Sequence, residues 1–167
     1  MAETDALDPE QLGVYFALKE VVSLLQHGVE QQLRAGGDLS YVQFQLLVRL
    51  VDAEGQLTMT DLADGVVYSR SGLTYQAGLL EKAGLITRST CPDDERATRV
   101  TVTDAGRARL AEVLPGHIQV VRRLLFAPLA QNDLNALSDI MNRVRDHMRS
   151  RPPRSAAPRK QRGDTAR

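Results

Sequence analysis

The sequence predicts a mainly α-helical fold that carries one small β-hairpin. Two features support this. Apolar residues recur at helical spacing over most of the 167-residue chain. Only between Leu85 and Val102 does the pattern change to short β-branched runs around a turn.

From about Gln11 to Arg34, Leu18, Val22, Leu25 and Val29 fall on one stripe, and Gly36-Gly37 should end that helix. Ser40 and Gln43 form a capping box, in which each side chain accepts from the other residue's backbone N–H. The helix they start carries Phe44, Leu47, Leu50 and Val51 and stops at Gly55. Thr58 is suited to N-cap a short third helix, where Asp61 favours the positive helix start and Leu62 and Ala63 point inward. A fourth helix runs from near Ser69 to Gly84, a left-handed C-cap, with Leu73, Ala77 and Leu80 inward.

Leu85–Arg88 and Arg99–Val102 then read as two strands, joined by a hairpin whose tip holds Pro92-Asp93-Asp94. Thr103-Asp104 caps a fifth helix reaching Phe126, with Leu110, Leu114, Val121 and Leu125 apolar and Pro115-Gly116 bending it. Pro128 and Asn132 separate it from a last helix, where Leu134, Leu137, Met141, Val144 and Met148 form a heptad-like seam. The expected organisation is a flexible acidic stretch over 1–10, one domain over 11–149, and a disordered Pro- and Arg-rich tail over 150–167.

Composition narrows the function classes. A hydrophobic fraction of 43% and a charged fraction of 25% are those of a globular protein. No apolar run is long enough for a transmembrane helix, and the acidic start lacks the apolar core of a signal peptide. The single Cys91 cannot form an intrachain disulfide, so the expected location is the cytoplasm, with no membrane partner. Net charge is zero, but its distribution is uneven. Residues 1–66 hold three basic and eleven acidic side chains, and residues 67–167 hold eighteen basic and ten acidic. A chain with one acidic and one basic half can still attract phosphate.

Three helices followed by a hairpin, flanked by long striped helices, describe a winged helix-turn-helix reading head over 58–103. Its turn is Gly65-Val66-Val67-Tyr68, and its second helix opens Ser69-Arg70-Ser71. Small hydroxylated residues allow close approach of that helix to a duplex, where free N–H groups hold a phosphate. Arg70 suits bidentate reading of guanine, the Thr74 methyl suits thymine, and Tyr75 suits a phosphate or sugar. Thr58 belongs to the same surface. The hairpin adds Arg88, Arg96 and Arg99, of which Arg96 is placed to enter a minor groove, with Asp94 holding its guanidinium.

These residues carry a resemblance. The stretch from Leu57 to Arg107 is similar to the core of the MarR family in its T-x-x-D-L-A third helix, its S-x-S recognition start and its L-E-K-x-G-L-I before the wing. D-x-R at Asp94/Arg96 and T-D-x-G at Thr103–Gly106 follow the same pattern. The resemblance spans roughly 10–149. It implies a homodimer held by the first, fifth and sixth helices, over 11–34 and 104–149, with the seam Leu134–Met148 as interface. It also implies a pseudo-palindromic double-stranded DNA target read by two helices about 34–36 Å apart. The resemblance further implies a repressor, released when a small phenolic ligand or an oxidant arrives. Tyr15, Leu18, Val22, Phe44 and Leu47 are the candidates to line that ligand's cleft. Many members carry basic residues where Tyr75 and Leu79 stand, so a family operator does not transfer to this chain.

Other readings are weaker. Cys91 reads as an incidental thiol, not a redox sensor, because the sensing cysteines of the family lie near the N-terminus. His27, His117 and His147 lack the spacing of a metal site, so no metal or other cofactor is expected. Asp93-Asp94-Glu95 lie on an exposed turn, without the contrasting environments that catalytic carboxylates need. An enzyme using the reading head only to dimerise would need a Gly-rich phosphate loop, and none is present. An adaptor without DNA binding has no use for Arg70, Arg96 and Arg99.

Overall fold

The computed structural model describes residues 6–66, 70–92 and 94–150; for Gly65, Arg70 and Glu95 it describes the backbone alone. The chain divides after Pro128 into two units. The first holds α1 (Pro9–Gly37), α2 (Tyr41–Asp52), β1 (Gln56–Thr58), α3 (Met59–Gly65), α4 (Arg70–Lys82), β2 (Ile86–Cys91), β3 (Asp94–Val102) and α5 (Asp104–Val121). The described part of the second is α6 (Gln131–Ser150).

The mainly helical fold with a small wing is present, with differences at several boundaries. α1 starts earlier because Asp8 and Gln11 make a capping box ahead of Pro9, a residue that fits the first helical turn. It also ends later, and the left-handed residue that stops it is Asp38, not a glycine. The Ser40–Gln43 box caps α2 as expected, with bonds of 3.2 and 3.0 Å. α2 stops three residues before Gly55, at Asp52. β1 was not expected: three residues are too few to carry a period. It pairs antiparallel with β3, and the sheet order is β1-β3-β2. The hairpin arms are longer than the apolar runs, because backbone pairing carries Ser89, Thr90 and Thr98 along with them.

One core joins the elements of the first unit. Val29 and Leu33 of α1, Phe44, Leu46, Leu47 and Leu50 of α2, and Leu73, Ala77 and Leu80 of α4 are buried together. Ile86, Val100 and Val102 of the sheet close it from below. The inward face of α5 is Leu110, Val113 and Val120, whereas Leu114 is 37% exposed. The face is turned from expectation because α5 packs along α1, where Gln32 Nε2 donates to the Val113 carbonyl at 3.2 Å. From Arg122 to Phe126 the helix widens to a π-helical turn, and the Ala127 N–H reaches the Arg122 carbonyl at 2.8 Å.

The N-terminal half of α1 is uncovered. Its stripe becomes buried only at Val29; Tyr15, Leu18 and Val22 are exposed. On α6, Leu134 and Leu137 are half-buried, and Met141, Val144 and Met148 are exposed.

Candidate nucleic-acid interface

Two joints set the geometry of the reading head. At the first, α4 ends on Gly84 at φ 73°, with the Leu85 N–H bonded to the Leu80 carbonyl. That reversal turns the chain directly into β2. At the second, α5 begins against the same corner. The Thr103 hydroxyl accepts from the Gly106 N–H and donates to the Gly84 carbonyl at 2.7 Å. A β-carbon at Gly106 would run into the Leu85 carbonyl, which explains the glycine in T-D-x-G. The motif therefore clamps the wing, the reading helix and the long helix to one another.

α4 buries Leu73, Ala77 and Leu80 and exposes Ser71, Thr74 and Tyr75 on another face, Tyr75 to 65%. These three lie at i, i+3 and i+4, so they form one ridge. Ser69 and the side chain of Arg70 lie outside the described residues, as do Val67, Tyr68 and Asp93. Leu79, half-buried, joins Tyr75 and Gln76 on a cleft bounded by Arg34, Asp38 and Arg109.

The remaining expected contacts divide. Thr58 caps α3, accepting from the Asp61 N–H at 3.1 Å and donating to its carboxylate at 2.7 Å. Its hydroxyl is committed to that cap. Arg96 is exposed, and no described side chain pairs with its guanidinium. The expectation that Asp94 holds that guanidinium is corrected: its Oδ1 accepts instead from the Arg96 backbone N–H at 3.0 Å. That bond engages the carboxylate with the strand backbone, and the Arg96 side chain is exposed. Arg99 is half-buried in the middle of β3, opposite Thr58 and Ser89.

Arg88, also expected at the DNA surface, has a partner within the protein. It is half-buried and bound to Glu81, with Nε at 2.9 Å and Nη2 at 2.6 Å from Oε2, and its own N–H at 3.0 Å from Oε1. Sequence reasoning did not single out Glu81. Its signal was a carboxylate in the last turn of a helix, where the dipole disfavours it unless a cation answers. Cys91 is 8% exposed at the end of β2, beside a register shift, so it lacks the access a redox sensor needs.

The ligand-cleft candidates do not gather. Phe44 and Leu47 are closed in the core, while Tyr15, Leu18 and Val22 are exposed on the uncovered part of α1. They are apart because helical periodicity reports a face and not a neighbour. A cleft of about 260 Å³ lies instead along α5, lined by His117, Ile118, Val121, Arg122 and Phe126. His117 stacks on Phe44 with centroids 4.4 Å apart. Its buried Nδ1 has no partner among the described residues, and burial lowers its pKa. No group of metal-ligating side chains occurs among the described residues. No described helix is long and apolar enough to cross a membrane.

A helix-turn-helix with a three-stranded wing, presenting a small polar ridge and an outward arginine, defines a winged-helix reading head. The profile of the MarR family matches residues 37–97. The chain is 31% identical to Sco3205, a MarR family transcriptional regulator from Streptomyces coelicolor solved in complex with DNA. The likeness covers 91% of this chain and 94% of that one, with a TM-score of 0.83. AbsC, a MarR family regulator of the same organism, shares 30% identity over 88% of this chain and 99% of its own, with a TM-score of 0.81. YetL of Bacillus subtilis, a transcriptional repressor, is 29% identical over 126 residues, 74% of this chain and 75% of its own. The chain belongs to the MarR family, whose members are transcriptional regulators.

Proposed function

We propose that this regulator reads a pseudo-palindromic duplex as a homodimer, with α4 in the major groove and the wing in the minor groove. One observation carries the reading. Ser71, Thr74 and Tyr75 form an exposed ridge, and Arg96 on the wing is exposed, with no partner for its guanidinium among the described residues. The regulator solved with DNA and similar along nearly its whole length supports it. The Ser69-Arg70 start of the reading helix belongs to the same proposal.

Repression is the proposed sign of regulation, supported by the likeness to the repressor YetL. A small aromatic effector seated along α5 is the proposed release signal. The support is the cleft lined by His117, Ile118, Val121, Arg122 and Phe126, where a buried His117 nitrogen has no partner among the described residues.

The test starts from duplexes selected by the purified protein from fragmented genomic DNA. Arg96→Ala should weaken binding to the selected duplex and lower the slope of log affinity against log salt by about one. An unchanged slope would remove Arg96 from the interface.

A further inference from the structure

For α4 and the wing to meet one duplex together, the angle between them must be fixed. We propose that Glu81 and Arg88 are a positioning pair that locks the wing to the reading helix, and that Arg88 acts on DNA binding through this lock and not through a phosphate contact. The inference rests on the DNA-reading proposal above.

Glu81 stands on the last turn of α4, and Arg88 is the third residue of β2, beyond the Gly84 reversal. The Glu81 carboxylate accepts three hydrogen bonds from Arg88, one from the backbone and two from the guanidinium. A single contact leaves a hinge, whereas three bonds from one residue fix both the strand backbone and the side chain. The guanidinium lies along α4 rather than away from it: a β-carbon built on Gly78 would be 3.8 Å from Nη2. Both partners are part-exposed, with side-chain exposures of 29% and 36%, so the pair stands at the surface between the two DNA-facing elements. The ridge residues Thr74 and Tyr75 share its helix, and Arg96 shares its hairpin. A change of angle at this pair moves one group of contacts against the other.

The two roles predict opposite results for charge reversal. If Arg88 positions, Arg88→Met should lower affinity for the selected duplex by about tenfold, leaving the salt slope unchanged. The double variant Glu81→Arg/Arg88→Glu should then bind more tightly than Arg88→Met, because the guanidinium–carboxylate pair is restored with its partners exchanged and only the backbone bond is lost. If Arg88 touches a phosphate, Arg88→Met should lower the salt slope by about one, and the double variant should bind worst of all, with a carboxylate facing the duplex. That outcome overturns the proposal.

Amide hydrogen exchange over residues 86–91 of the free protein tests the lock without DNA. Exchange should rise in Arg88→Met and fall back in the double variant at the neighbours of residue 88, whose own N–H loses its acceptor there. Unchanged exchange in Arg88→Met overturns the lock. Failure of the wild-type protein to select any duplex, with the exchange result as expected, would instead defeat the DNA-reading proposal and leave the lock standing.

Discussion

Glu81 and His117 show how a single residue's setting fixes its charge. The hydrogen bond from the Arg88 side chain, aided by its charge and backbone N–H, holds the Glu81 carboxyl below the usual carboxylate range against a smaller effect of desolvation. A carboxylate lowered in this way contributes above its ordinary pKa, and the contribution is lost as pH falls through the lowered value. The wing lock should therefore persist through neutral and mildly acid pH. Following the Arg88 Nε–H signal during an acid titration by NMR checks this; loss of the signal's bonded shift near neutral pH would contradict it. His117 works in the same direction for a different reason. Burial disfavours its charged form and lowers its pKa below the ordinary histidine value. The unfolded chain then binds more protons below the ordinary histidine value, and stability should fall as pH drops from there. His117→Leu should flatten this part of the stability-against-pH curve, measured by urea unfolding at several pH values.

At the scale of elements, caps and corners set where each helix begins and ends. The Ser40 box holds the start of α2, the helix that supplies four core residues. Ser40→Ala should cost about 1 kcal/mol of unfolding free energy. Gly106 sits where α5 meets the Leu85 carbonyl. Gly106→Ala should cost about 1–3 kcal/mol, because a backbone carbonyl cannot swing away as a side chain can. Chemical denaturation of both variants gives the two numbers. Expectation and structure agree best at these places. Ser40-x-x-Gln43, Thr58, Gly84 and Thr103 were legible because cap and turn chemistry is local. β1 and the inward face of α5 were not, since pairing with β3 and packing on α1 are long-range.

For the whole molecule, the unfilled apolar surface is the main observation. Val14, Phe16 and Leu24 on α1 are each more than 60% exposed, and on α6 Met148 is 64% exposed. Surface of this kind on a globular chain marks an interface. With the seam on α6 as part of the proposed dimer, Val144→Asp should shift the protein to monomers in sedimentation velocity at micromolar concentration, with its helical circular dichroism retained. A variant that remains dimeric would move the interface away from Val144. Loss of the dimer should also weaken duplex binding steeply, since two reading heads bound to one site act at high effective concentration.

The sequence by itself determined the order of helices and hairpin, the principal caps, the core face of α4 and the family. Each of these is encoded in residues a few positions apart, or in a run of motifs whose spacing survives in the chain. It also pointed to Ser71, Thr74, Tyr75 and Arg96, which the structure leaves exposed. Only the tertiary structure decided that Arg88 faces Glu81, that Asp94 holds a backbone, and that Phe44 and Leu47 are core rather than cleft. The physical reason is common to all three. A charged or apolar side chain declares what kind of partner it needs, and folding alone chooses which partner comes within reach.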